Sequence, residues 1–259
     1  MFWRKKGQEE KKDKAIKSKE QWLSEGSTLV QSDRYQEALV AFDRAIELDS
    51  NSALAYVGKG TALQLLERYE EALASCERAI QLDPNLPGPY LTEGLAYNEL
   101  KRYEEALTSY ERAIQLDPNN MFAHLGKAIA LNALERYEEA QVAFDRGVQF
   151  DPNYVSGNIL RAMNLNALKQ YEEALTSCER AIQRDRNYKD AHMYKGVALN
   201  GLKRYKEAIV AFDRAIQLDR KYSEAYIGKA TALEGLGKPT EAAQALQRAR
   251  ELGIDSIAQ

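Results

Sequence analysis

Two histidines, His124 and His192, two cysteines, Cys76 and Cys178, and a series of Glu-Glu pairs such as Glu70-Glu71 and Glu104-Glu105 are the side chains best suited to chemistry in this sequence. A histidine can shuttle protons near neutral pH or ligate a metal, a set of cysteines can hold zinc or form disulfides, and paired carboxylates can divide acid and base work. Gly-Lys pairs at Gly58-Lys59, Gly126-Lys127 and Gly228-Lys229 could mark a phosphate-binding loop. Spacing argues against each. The Gly-Lys pairs lack the earlier glycine and the following Ser or Thr of that loop. The cysteines are 102 residues apart and have no partner at zinc-ligand spacing, so both are expected to be reduced and buried. No catalytic residue, metal site or cofactor is expected.

The chain is organised by a fixed period. The string RYEEAL, or a close variant, places a tyrosine at Tyr35, Tyr69, Tyr103, Tyr137, Tyr171 and Tyr205, a constant step of 34 residues. A period of this length signals a stacked-repeat architecture. Counting from Lys19 gives seven units without insertion: 19–52, 53–86, 87–120, 121–154, 155–188, 189–222 and 223–256, preceded by a charged leader, 1–18, and followed by a tail, 257–259. A longer repeat is overlaid, because VAFDR recurs at Val40 and Val142, and SCER at Ser75 and Ser177, each 102 residues on. Duplication of a three-unit block explains both. It makes Cys76 and Cys178 copies of one place, three units apart, whereas a disulfide needs Cα atoms within about 7 Å.

Inside each unit apolar and small residues recur at spacings of three and four, the helical period. Two helices of about 12 to 14 residues result, too short to be stable alone in water, so stacking must supply their core. Asp-Pro at Pro84, Pro118 and Pro152 ends second helices. Alanine holds one place in all seven units, from Ala38 to Ala242, and Gly or Ala another, from Gly26 to Ala230; bulk comes from Trp22, Tyr56, Tyr90 and Tyr226 on first helices and Phe42, Tyr110, Phe144 and Phe212 on second helices. His124 and His192 fall at the place of those first-helix aromatics and are read as packing residues. The Glu-Glu pairs open second helices, where negative charge suits the helix dipole.

The 34-residue period, the aromatic-then-small first helix, the Tyr-Glu-Glu-Ala opening of the second and the Asp-Pro turn resemble the tetratricopeptide repeat, over 238 of 259 residues. The resemblance implies an all-α fold, a right-handed superhelical solenoid of seven helix-turn-helix units whose first helices line a concave groove for a peptide or partner protein. Two features depart from the family pattern. Lys59, Lys127, Arg161, Lys195 and Lys229 stand on first helices where the family is usually apolar, and Pro239 replaces the tyrosine in the seventh unit. That unit reads as a terminal cap with Gln244, Gln247, Arg248 and Glu251 outward.

Composition bounds the remaining classes. No apolar run is long enough to span a membrane, and the N-terminus carries charge where a signal peptide is apolar, so a cytoplasmic protein is expected. Phe2 and Trp3 before Arg4, Lys5 and Lys6 offer a membrane-surface contact, the basis of an alternative reading as a membrane-associated assembly factor; a frayed leader is the preferred one. The leader carries +4, which leaves -7 of the total -3 for the rest of the chain and argues against a nucleic-acid partner.

The functional expectation falls on the first helices. Their second, fifth, ninth and twelfth places share one face, the concave one in the resembled family. The predicted ligand groove comprises Leu91, Leu125, Ile129, Ile159, Met163 and Met193 for ligand side chains, with Asn98, Asn132, Asn166 and Asn200 as an amide ladder bonding the ligand backbone; the competing reading is that the apolar residues only seal one first helix against the next and that the asparagines, copied with their repeats, only suit the last turn of a helix. In the resembled family, carboxylate clamps for chaperone tails need Lys, Asn and Arg in the groove; Leu23, Ser27, Gly58, Gly88 and Thr92 stand there instead. Neither the partner nor the oligomeric state is written in the sequence.

Overall fold

The computed structural model describes residues 17–257. The leader's Phe2 to Lys14 lie outside the described residues. Among those described, fourteen helices and no strand are present. The chain divides into two units, the first running to Ala96 and the second starting at Tyr97. The first holds α1 (Lys19–Gln31), α2 (Tyr35–Leu48), α3 (Ala53–Leu65), α4 (Tyr69–Leu82) and most of α5 (Pro87–Glu99). The second holds α6 (Tyr103–Leu116), α7 (Met121–Ala133), α8 (Tyr137–Phe150), α9 (Val155–Ala167), α10 (Tyr171–Arg184), α11 (Lys189–Gly201), α12 (Tyr205–Leu218), α13 (Ser223–Gly235) and α14 (Pro239–Ile257).

Two turns set the repeat. The first-to-second-helix turn passes through the left-handed region at Asp33, Glu67, Lys101, Glu135, Lys169, Lys203 and Gly237, with φ of 57° to 70°. There the next amide returns to a helical carbonyl, as in Arg136 N to Leu131 O at 2.9 Å. Only the last turn uses glycine, the residue for which that φ carries no steric cost. The turn between repeats is fixed by aspartate. Asp49, Asp83, Asp117, Asp151, Asp185 and Asp219 each accept, through Oδ1, the amide two residues on at 2.8 to 3.2 Å. Proline follows three of them and is replaced at the others, so the Asx turn is the constant element.

The core is a volume match between second-helix bulk and first-helix space. In the first unit, a Cβ added at Gly26 or Gly58 would stand 2.7 or 2.3 Å from the Phe42 ring, and one at Gly60 2.9 Å from Cys76 Sγ. In the second, Tyr110 fills the space over Gly126, and Phe212 that over Gly196 and Gly228, with equivalent distances of 2.4 to 2.6 Å. Where the second helix carries the small Cys178, the matching first-helix place holds Tyr194 instead of glycine. The seventh pair ends as the cap was expected to, with Ala242, Ala245, Ala249 and Leu252 buried and Gln244, Gln247, Arg248 and Glu251 exposed.

One junction in the second unit is built differently. Asn164 is fully buried on α9; its Nδ2 donates to Tyr137 O and Gln141 Oε1, and its Oδ1 accepts from Asn132 Nδ2 at 2.8 Å. Gln141 Nε2 donates to Asp145, which also accepts from Arg161 Nε at 2.5 Å, while Arg161 Nη1 donates to Ser177 Oγ. Side-chain hydrogen bonds therefore run unbroken from α7 to α10.

Candidate functional site

The residues singled out for chemistry are structural. His124 and His192 donate from Nε2 to the carbonyls of Pro118 and Arg186, both at 3.0 Å; a carbonyl only accepts, so Nε2 carries the proton. Tyr90, Asn158 and Tyr226 make the same bond at the same place, each to the carbonyl six residues earlier. The fourth place thus needs a donor-tipped side chain that buttresses the turn, and histidine is one solution. Burial lowers the His192 pKa and favours the neutral donor. Cys76 and Cys178 are buried, free thiols; burial pushes Cys178 up to about 12 and Cys76 in the same direction. Among the described residues no group of His, Cys, Asp and Glu could hold a metal, and no helix is long and apolar enough to cross a membrane.

The unusual first-helix cations find partners one helix back. Lys59, Lys127, Arg161, Lys195 and Lys229 pair with Asp43, Glu111, Asp145, Glu179 and Asp213 at 2.5 to 3.2 Å, always sixteen residues earlier. Their stems lie along the packed helices while the heads remain at the surface.

The amide ladder is turned into the structure. Asn98 Nδ2 donates to Tyr110 OH and Gly126 O, Asn166 Nδ2 to Tyr194 O, and Asn200 Nδ2 to Gly228 O, at 2.9 to 3.3 Å; Asn132 instead reaches Asn164. The Oδ1 atoms of Asn98, Asn166 and Asn200 are buried. A twelfth-place amide lies beside the sixth-place carbonyl of the next first helix, and that carbonyl has a second lone pair to offer. The donors expected to meet a ligand are therefore engaged between repeats.

The apolar places separate by depth. Leu125, Ile159 and Met193 are buried, at 4, 5 and 8% exposure, so these fifth-place residues mainly seal one first helix against the next, and of the three Ile159 also lines a cavity. Leu125 fills the space over Gly147, where an added Cβ would stand 2.6 Å from its Cδ2. Ile129 is 37% exposed and Met163 half-buried, and Leu91, in the first unit, is also half-buried.

Ile159 and Met163 come together in a cavity of about 270 Å³ between α9 and α11, whose other walls are Ser156, Leu160, Tyr188, Asp190 and Tyr194. Tyr194 stands sixteen residues after Cys178, at the place that Gly126 and Gly228 hold after Tyr110 and Phe212. Of these wall residues Ile159 and Met163 belong to the predicted groove, whereas Asp190, Tyr188 and Tyr194 do not. The cue was present, since the sixth place reads Gly126, Leu160, Tyr194, Gly228 along the second unit and departs from glycine only here. Asp190 Oδ1 accepts the Tyr222 hydroxyl at 2.6 Å.

Paired helices of constant length, sealed by alanine and glycine under aromatic side chains and carrying an open apolar cavity between first helices, define a helical-repeat binding protein. Tetratricopeptide-repeat models match residues 22–52, 53–86, 156–188, 190–222 and 211–257, and a TPR-repeat model matches 94–134. The chain belongs to the tetratricopeptide repeat family. Among solved structures it is similar to YrrB, a TPR protein with an unusual peptide-binding site, at TM-score 0.63 and 25% identity over 71% of this chain and 95% of that one. It shares its fold with pilF of Pseudomonas aeruginosa, at TM-score 0.72 and 18% identity over 80% of this chain and 94% of that one, and with MamA, at 0.57 and 20% over 64% and 97%. No curated protein sequence matches the chain.

Proposed function

We propose that this protein is a non-catalytic scaffold that holds an extended peptide of a partner protein against its first helices, with α9 and α11 at the centre of the contact. The carrying observation is the open cavity between those helices, apolar on most of its walls and with a single carboxylate, the usual form of a side-chain pocket in a recognition surface. Ile129 and Ile227, 37 and 50% exposed on neighbouring first helices, extend it in both directions along the stack. YrrB, similar to this chain at 25% identity, carries a peptide-binding site on the same fold. Within this reading Met163 and Ile129 touch the ligand, Ile159 forms the floor, and Asn98, Asn132, Asn166 and Asn200 hold the first helices in register beneath it.

A photo-reactive side chain tests this. Placed at Met163 in the full chain, it is expected to cross-link a partner protein from the native cell extract; at Val142, 70% exposed on the second helix α8, it is not. Capture through position 142 in place of 163 would move the binding surface to the second helices.

A further inference from the structure

The cavity between α9 and α11 has a chemistry of its own, and the inference from it rests on the peptide-binding reading above. Its apolar walls, Ile159, Leu160 and Met163, line a half-open space whose volume of about 270 Å³ admits one long side chain, and Tyr188 and Tyr194 add two aromatic rings. Its one charged wall residue is Asp190. Among the described residues no ion pair involves Asp190; its recorded partner is the Tyr222 hydroxyl, at 2.6 Å. The sequence neighbour Lys189 is committed elsewhere: its Nζ lies 2.5 Å from Asp219 and 4.9 Å from the Tyr222 ring centre.

The surrounding surface has the same sign. At the second, fifth, sixth, ninth and twelfth places of repeats four to seven, the charged residues are Asp190, Glu224 and Glu234, and no Lys or Arg occurs. Asp190 and Glu224 are close enough to act together on Tyr194 and Tyr222, raising the pKa of both phenols beyond what burial alone does. The first helices α9, α11 and α13 touch in succession, so these carboxylates lie one helix spacing apart, about 8 to 10 Å.

We infer that this cavity is a basic-anchor pocket: an arginine or lysine of the bound peptide runs its methylene stem along Ile159, Leu160 and Met163 and places its cationic head at Asp190. A long basic side chain is the residue type that satisfies both halves of such a site. A purely apolar anchor leaves the carboxylate to be desolvated without compensation, and an acidic one is repelled. The stem buries against apolar walls while the head stays at the mouth, and the rings of Tyr188 and Tyr194 favour a cation over a neutral group. Glu224 then meets a second basic residue about two positions further along the ligand, the next side chain on the same face of an extended chain, whose own length covers the rest of the helix spacing.

The probe is a random-peptide library displayed on phage, selected on the full chain. Enriched peptides are synthesised with a fluorescent label, together with copies in which each arginine is replaced by citrulline and each lysine by norleucine. Enrichment of Lys or Arg at one fixed position is expected, with neutral replacement there weakening binding about ten- to a hundredfold, as loss of a charge-assisted hydrogen bond does. Asp190→Asn should erase that discrimination, both peptides binding alike, while far-ultraviolet circular dichroism stays unchanged. Met163→Arg, which fills the cavity with a cation of its own, should abolish binding. If Met163→Arg blocks binding but neutral replacement has no effect, or Asp190→Asn preserves the discrimination, the basic anchor is wrong and the peptide groove stands. If the selected peptides bind Met163→Arg as tightly as the natural chain, both readings fail.

Discussion

The junctions between α8 and α9 and between α12 and α13 share one backbone plan and solve it with opposite chemistry. At the former, Gln141 and Asn164 face each other inside a hydrogen-bonded network that reaches Asn132, Asp145, Arg161 and Ser177. At the latter the same two places hold Ile209 and Ala232, part of an apolar core around Phe212 and Ala230. Isolated polar groups in the first setting would cost several kcal/mol, but each member has a partner, so the network and the apolar core are both admissible. The lesson is that neither place can change by itself. Asn132 shows the adjustment: its counterparts Asn98, Asn166 and Asn200 bond a sixth-place carbonyl, whereas Asn132 turns to the Asn164 side chain.

The largest expected effect breaks the polar junction. Asn164→Ala strands Gln141 Oε1 and Asn132 Nδ2 and should lower stability by about 2 to 4 kcal/mol in urea unfolding. Adding Gln141→Leu removes the stranded oxygen and recreates the apolar pattern, and should recover all but the roughly 1 kcal/mol of the Asn132 donor. A double variant no more stable than the single one would show that the two junctions are not alternatives.

Next comes overpacking of the apolar junction. Gly228→Ala drives a Cβ to 2.4 Å from the Phe212 ring and should cost about 1 to 3 kcal/mol. Phe212→Leu in the same chain should relieve that clash in part, so the double variant should cost less than the sum of the two single ones. An unchanged melting temperature in Gly228→Ala would mean that the ring is not fixed by the glycine.

The thiols then report on each region separately. Cys178 has a folded-state pKa raised to about 12, so its contribution is complete below the ordinary thiol pKa near 9 and is lost as pH rises through the interval to 12. Near pH 10 this amounts to about 1 kcal/mol, read as a difference from Cys178→Ser, whose own stability should not fall with that slope. Maleimide labelling at neutral pH should be slow at both cysteines until the surrounding repeats open. The smallest effect is expected at the rim: Lys229→Gln removes an exposed pair with Asp213 and should change stability by less than about 1 kcal/mol in the same assay. A larger loss there would place that ion pair in the core energetics of the junction.

Much of this was legible in the sequence because a repeat is read many times over. The step of 34 located each helix pair, and the alternation of Phe42, Tyr110 and Phe212 with Gly58, Gly126 and Gly228 carried the packing. The asparagines misled for the same reason. Four copies at one place looked like a ladder, but periodicity along a helix gives the face of a side chain and not the direction of its amide, which the neighbouring carbonyl decides. Leu125, Ile159 and Met193 shared a face with Ile129 and Met163, and only contact with the adjoining helix separates sealed positions from open ones. The cavity was hardest to see, because Leu160 and Tyr194 depart from glycine at a place that varies along the chain, and the repeat period alone does not say which departures open a space.

The cations at the seventh place carry a consequence for how such a chain can grow or shrink. Each pairs with a carboxylate sixteen residues earlier, on the preceding helix, so excising or copying a whole repeat between such positions rejoins an equivalent cation and acid, with no charge left over. The three-repeat duplication written in Val40 and Val142, Cys76 and Cys178 is an event this arrangement tolerates. Gln141 and Asn164 sit where the earlier block has Leu39 and Ala62, one on either side of a repeat boundary. They form an inheritance unit out of phase with the repeats themselves, and recombination that cuts at residue 154 would separate two halves that only make sense together.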